Sequence, residues 1–279
     1  MPIHDQGYRR YAGRRELHGR TWWVIARAGL RERLRERRFL GLLLLAWAPF
    51  LVRAVQIYVA SNYPQASFLA PSAETFREFL NQQRIFIFFV TIYVGAGLIA
   101  NDRRANALQL YLSKPLTRVE YIAGKLVTLG LFLIGVTWVP AICLLLLQMM
   151  FAGDTAFIRG NLFLIPAITL FSALQVAFSA MTMLALSSLS NSRRFVSLMY
   201  AGIVFFSAAM YQALRAITGS TAWAWVSPGD TFDVIADAVF RLPGRPAMPV
   251  PAAFAVVVIL IAASLWILER RVRAVEVVT

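Results

Sequence analysis

The residues able to do chemistry are few, and their spacing excludes most catalysis. Only two histidines occur, His4 and His18, both near the N-terminus, and the lone Cys143 sits in an apolar run. There is no His-Glu-x-x-His and no Gly-x-Ser-x-Gly. Neither a zinc-activated water nor a serine on a nucleophile elbow can therefore be assembled. Gly124-Lys125 is followed by Leu126 and lacks the upstream glycine of a phosphate-cradling loop. One cysteine permits no intrachain disulfide. No catalytic, cofactor-binding or metal-binding residue is assigned, and the chain is not expected to be an enzyme by itself. The chemistry that remains is charge, gathered in a connector at 101–125 and in two arginines, Arg53 and Arg215, inside apolar stretches.

Those charges must be positioned by elements built for lipid. The chain has 279 residues, of which 59% are hydrophobic and 15% charged. A soluble domain carries roughly 25% charged and 45–50% apolar residues, so a water-soluble globule and a disordered chain are both excluded. A helix of about 20 apolar residues crosses a bilayer core. Six segments qualify: Phe39–Ala60, Arg84–Ala100, Leu126–Phe151, Leu162–Leu186, Phe195–Thr218 and Pro251–Leu268. The expected fold is an all-α polytopic membrane protein with six spans. Residues 1–38 form a cytoplasmic tail and interfacial helix, 39–268 the transmembrane domain, and 269–279 a second cytoplasmic tail. The first apolar run starts behind an Arg-rich stretch with no small-residue cleavage site, so span one is expected to be retained.

The basic residues set the orientation. Eleven arginines precede span one, and five Lys or Arg lie between spans two and three. Two more separate spans four and five, and three follow span six, whereas the opposite loops hold five in all. Excess Lys and Arg mark the cytoplasmic face, so both termini are expected there. A net charge of +14 spread over every such segment fits topology and anionic lipid, not a nucleic-acid-binding module.

Several segments outside the spans have helical patterning. Residues 15–38 carry Trp23, Ala26, Leu30 and Leu34 on one stripe and Arg20, Arg27, Arg31, Arg35 and Arg38 on another, as in a helix lying in the interface plane. Glu32 and Glu36 are expected to pair with Arg35 and Arg31. In the opposite loops, Glu74–Leu80 and Phe232–Phe240 read as short amphipathic helices that pack on the bundle. Trp223 and Trp225 suit an interfacial aromatic belt. Arg53 and Arg215 either snorkel to headgroups or serve as candidate pathway charges. Pro49, Pro140 and Pro166 are candidate kinks. No expected span has Asp or Glu in its interior, which disfavours an ion-coupled carrier.

In the connector, Leu108–Leu112 continues a helix out of the membrane, and Pro115 ends it by disfavouring helical backbone at Lys114. Thr117 and Glu120 have capping-box spacing for a second short helix, and Gly124-Lys125 leads into span three. The order Asp102-Arg103-Arg104, Leu108, Ser113-Lys114-Pro115-Leu116-Thr117-Arg118, Tyr121 and Gly124-Lys125 resembles ABC-2 type transporter permeases. Asn106-Ala107 stands where Gly-Thr is common in that family. Asn tolerates left-handed backbone, which keeps the turn available.

The resemblance implies a permease subunit of an ATP-driven exporter in a bacterial-type inner membrane. It implies pairing with a second permease copy or paralogue and with cytosolic ABC ATPase subunits, which would hold the ATP and magnesium. Ser113, Lys114, Pro115, Leu116, Thr117, Arg118, Glu120 and Tyr121 would form the coupling helix that docks into the ATPase. Arg31, Arg35 and Arg38 would make a secondary contact. A membrane scaffold driven by such an ATPase, and more remotely a secondary carrier, are the alternatives.

Overall fold

Pattern and helix breakers together account for the elements seen. The computed structural model describes residues 21–63, 65, 71–107, 117–152, 161–244 and 248–272. Among them every regular element is helical. Six helical stretches are long and apolar enough to cross a membrane: Arg37–Asn62, Ala73–Arg104, Arg118–Phe151, Leu164–Leu189, Arg193–Thr218 and Val250–Arg271. Five of them begin or end on an arginine at one end of the bundle, called here the basic end, and span four ends there at Leu189.

Helix α1 (Thr21–Leu34) precedes the spans. Span one is two helices, α2 (Arg37–Ala46) and α3 (Ala48–Asn62), broken at Trp47. Pro49 has no N–H to return to the preceding turn, so the break falls just before it. Buried Gln83 donates to the Ala46 carbonyl at the break, 3.1 Å away. Span three breaks in the same way at Thr137, ahead of Pro140, into α6 (Arg118–Val136) and α7 (Trp138–Ala152). Pro166 makes no kink. It lies in the first turn of α8 (Leu164–Leu189), where its N–H would have no helical partner in any case.

Span two differs most from expectation. It starts at Ala73, well before Arg84, because the Glu74–Leu80 segment is its first two turns and no separate loop helix forms. Phe76, Phe79 and Leu80 are buried there. The helix α4 (Ala73–Val90) runs into a π-helical turn at Thr91–Gly95, then an irregular stretch, then α5 (Ala100–Arg104). Ser187 of span four stitches this irregular stretch. Its Oγ accepts from the Ile99 and Ala100 amides at 3.1 and 3.0 Å and donates to the Ala96 carbonyl at 3.0 Å.

Spans five and six are α9 (Arg193–Thr218) and α11 (Val250–Arg271). Between them α10 (Pro228–Val239) packs on α8 and α11, with Phe232, Ile235 and Ala236 buried. Half or more of the most apolar stretch of spans two, three and four is buried, against 11% in span one and 17% in spans five and six. Spans two to four are thus the core, and the other three expose apolar surface suited to lipid or another membrane subunit.

Candidate coupling site at the basic end

The connector's two ends are joined by charge. Lys125 Nζ lies 2.7 Å from an Asp102 oxygen, and the Tyr121 hydroxyl donates to that same oxygen at 2.7 Å. Lys125 also stands 5.5 Å over the Tyr121 ring, a cation–π geometry. Tyr121 is fully buried, and the charged partners are mostly so. The acid at the end of span two is therefore locked to the first turns of span three.

Span three itself starts at a capped turn. The Glu120 amide donates to Thr117 Oγ1 at 3.2 Å, and the Thr117 amide donates back to the Glu120 carboxylate at 3.0 Å. The expected capping box is present, but the helix it opens is not separate, since α6 runs unbroken from Arg118 through Gly124-Lys125 to Val136. No residue between Thr117 and Lys125 breaks a helix except Gly124, and one glycine costs only about 1 kcal/mol. The Glu120 carboxylate is held on Thr117 and Tyr121 on Asp102, so these two position the connector. Arg118 and Val119 are exposed on its first turn. Asn106 takes φ 51°, the left-handed backbone that its residue type allows. Ser113, Lys114, Pro115 and Leu116, and the helix expected over Leu108–Leu112, lie outside the described residues.

Gly124 explains how α1 is seated. A Cβ there would meet the Trp22 carbonyl and Ile25 at 2.8 Å, and one at Gly29 would meet Thr128 at 2.8 Å. Helix α1 is thus clamped on α6 through two glycines. The packed stripe is Trp22, Ile25, Ala26, Gly29, Leu30 and Arg33, so of the expected Trp23, Ala26, Leu30 and Leu34 it keeps Ala26 and Leu30. Trp23 and Leu34 are exposed, because the close approach at Gly29 and Gly124 sets which face of α1 meets span three. Arg31, Arg35 and Arg38 are exposed as expected.

The acidic residues of this region pair differently from the sequence expectation. Arg33, not Arg31 or Arg35, donates to Glu36 at 2.7 Å, and the Tyr93 hydroxyl donates to the other Glu36 oxygen at 2.7 Å. Arg193 of span five donates to the Tyr93 carbonyl at 2.9 Å and covers its ring. Burial raises the Glu36 carboxyl, but the Tyr93 hydrogen bond and the charges of Arg33 and Arg193 outweigh it and hold it below its ordinary value. The π-helical turn in span two is what presents Tyr93 to this network.

A second polar cluster lies at the opposite end. Arg77 stands 3.0 Å from Asp237, and Arg84 2.8 Å from Asp233. Arg84 also donates to the Gly229 carbonyl at 3.0 Å. The sequence held a signal for this network. The arginines are seven apart on α4 and the aspartates four apart on α10, so each pair shares a helix face. Arg53 is drawn onto Glu78, 2.9 Å away, while Arg215 is exposed on the last turn of α9. These two are not brought together. Trp223 and Trp225 are exposed on a short 3₁₀ turn, Ala222–Val226. Among the described residues no His, Cys, Asp and Glu cluster could hold a metal.

A family model described as ABC-2 family transporter protein matches residues 23–271, nearly the whole chain. The chain belongs to the ABC-2 family. It is a multi-pass membrane subunit of an ABC transporter, a family whose members work with ABC ATPase subunits. A search of curated proteins finds no match. The permease's match runs through α1, the connector and all six spans, so the locked Asp102–Lys125 pair lies within the family region.

Proposed function

We propose that this permease is the transmembrane half of an ATP-driven exporter, docked through its connector onto cytosolic ABC ATPase subunits. The basic end and both termini then face the cytoplasm of a bacterial-type inner membrane, in keeping with the Lys and Arg excess there. The observation that carries the reading is the lock among Asp102, Tyr121 and Lys125. A force applied at 113–119 moves span three and the end of span two as one body, and α1 rides on span three through Gly124.

In this reading Ser113, Lys114, Pro115, Leu116, Arg118 and Val119 make the docking surface, and Thr117, Glu120 and Tyr121 hold it in shape. Arg31, Arg35 and Arg38 on and just after α1 supply the second contact. ATP and magnesium belong to the partner. A second permease copy or paralogue covers part of the exposed apolar surface of spans one, five and six. Arg53 is neutralised by Glu78, which supports anchoring over attraction of an anionic substrate.

The test is affinity purification of the full chain from its native membrane, comparing wild type with Lys114→Glu plus Arg118→Glu. An ABC ATPase co-purifies with wild type and is lost from the double variant, whose melting temperature stays close to wild type. An ATPase held equally by both, or by neither, overturns the reading.

A further inference from the structure

At the basic end, α6, α8 and α11 leave an open cavity of about 980 Å³. Its floor is apolar, made by Ile122, Leu126, Met181 and Leu265, and its rim carries Arg118, Arg270 and Glu269. The Arg270 guanidinium lies 4.1 Å from the Trp266 ring centroid, which holds a cation where an interfacial tryptophan is also favoured.

A second cavity adjoins the first across that floor. Leu126 and Met181 also line this second, almost wholly apolar space of about 550 Å³ between α6 and α8, which passes Gly130 and Ile134 and reaches Trp138, with Thr169 and Ser172 the hydroxyl residues on its wall. From Leu126 to Trp138 a helix rises roughly 18 Å. One leaflet's hydrocarbon is about 15 Å deep. A charged bowl thus adjoins, at Leu126 and Met181, an apolar groove one leaflet deep.

We infer that this is a binding site for an anionic glycerophospholipid, its phosphodiester between Arg118 and Arg270 and one acyl chain in the α6–α8 groove. Charge complementarity selects the headgroup. Two guanidiniums against one Glu269 carboxylate leave one positive charge, which a phosphodiester with an uncharged glycerol matches. A zwitterionic choline headgroup brings its own cation and gains less. Basic pockets between spans are where anionic headgroups bind. The groove's smooth wall follows from Gly130, Ala173, Ala177 and Ala180, which leave room for a chain where larger side chains would fill it.

The experiment uses the purified full chain in detergent with no ATPase present, so it stands or falls apart from the docking proposal. Melting temperature is titrated with phosphatidylglycerol, phosphatidylcholine of the same chains, and inorganic phosphate. Three proteins are compared: wild type, Arg270→Gln and Gly130→Leu. A Cβ at Gly130 comes no closer than 4.0 Å to Val176, so leucine there fills the groove without displacing backbone.

The expected result is saturable stabilisation of wild type by phosphatidylglycerol. Arg270→Gln needs about five- to tenfold more lipid, and Gly130→Leu loses the response while folding normally. Stabilisation by phosphatidylcholine equal to that by phosphatidylglycerol overturns the proposal. So does a response to phosphate alone, an unchanged titration in both variants, or no response in wild type, as when another segment of the chain fills the bowl.

Discussion

At Gly124 one absent methyl group decides whether α1 can lie on span three. Elsewhere in a helix, glycine to alanine gains about 0.5–1 kcal/mol of backbone entropy. At Gly124 the new carbon meets a backbone carbonyl at 2.8 Å, and overpacking costs about 1–3 kcal/mol. Gly124→Ala should therefore lower the melting temperature in detergent, whereas Gly135→Ala, with nothing within 4 Å, should leave it unchanged or raise it.

Asp102 is the second residue whose loss should be felt, because its removal leaves Lys125 without its anion in a largely buried site. Breaking a buried pair costs about 3–5 kcal/mol; Lys125 is 13% and Asp102 18% exposed, which places Asp102→Asn toward the lower end on thermal unfolding. Both members stood out in the sequence as the ends of one motif. Their mutual contact did not, because spacing alone does not say how the end of span two packs on the start of span three. Glu36 makes a pH prediction. Its folded carboxyl titrates below its unfolded counterpart, so its stabilisation is complete above the ordinary carboxylate range and drains as pH falls through the folded value. Wild type should lose more thermal stability on acidification than Glu36→Gln, a difference read by melts at neutral and acidic pH.

At the scale of elements, breaks matter as much as helices. Pro49 and Pro140 were legible as kinks, since a missing N–H is written in the sequence. What seals the first kink was not legible, because Gln83 lies in another span. Gln83→Leu leaves the Ala46 carbonyl without its side-chain donor. It should cost about 1–3 kcal/mol, measured by thermal unfolding, while Gln82→Leu on the same helix should cost much less. The irregular turn of span two escaped the sequence entirely. Nothing in Thr91–Ile99 is a strong breaker except Gly95 and Gly97, and Ser187, which satisfies its free amides, arrives from span four. The length of span two was obscured for another reason. Arg77 and Arg84 depress the local hydropathy, and their countercharges Asp233 and Asp237 lie far along the chain.

At the scale of the molecule, buried and exposed charges divide the work between the two ends. The opposite end holds a neutralised network in which α10 is pinned to α4 by Arg77, Arg84, Asp233 and Asp237. Arg84→Met alone removes the closer of Asp233's two arginines, leaving Arg77 at 3.6 Å, and should be destabilising. Arg84→Met with Asp233→Leu should recover much of the loss, because desolvation offsets most of a buried pair's attraction; a double-mutant cycle on melting temperature checks this. The basic end instead presents exposed arginines and the bare Val119, 75% exposed, on a rigidly mounted turn. Six spans were legible from hydropathy, and the capping box that opens span three from motif. The mounting was not, since it depends on which helices meet.

The most direct test of ATPase docking places a photo-crosslinking residue at Val119 in the full chain, with Trp223 at the opposite end as the control position, and illuminates native membranes. The account predicts an adduct with an ABC ATPase subunit from position 119 and none from 223. An adduct from neither position, or equally from both, would contradict it.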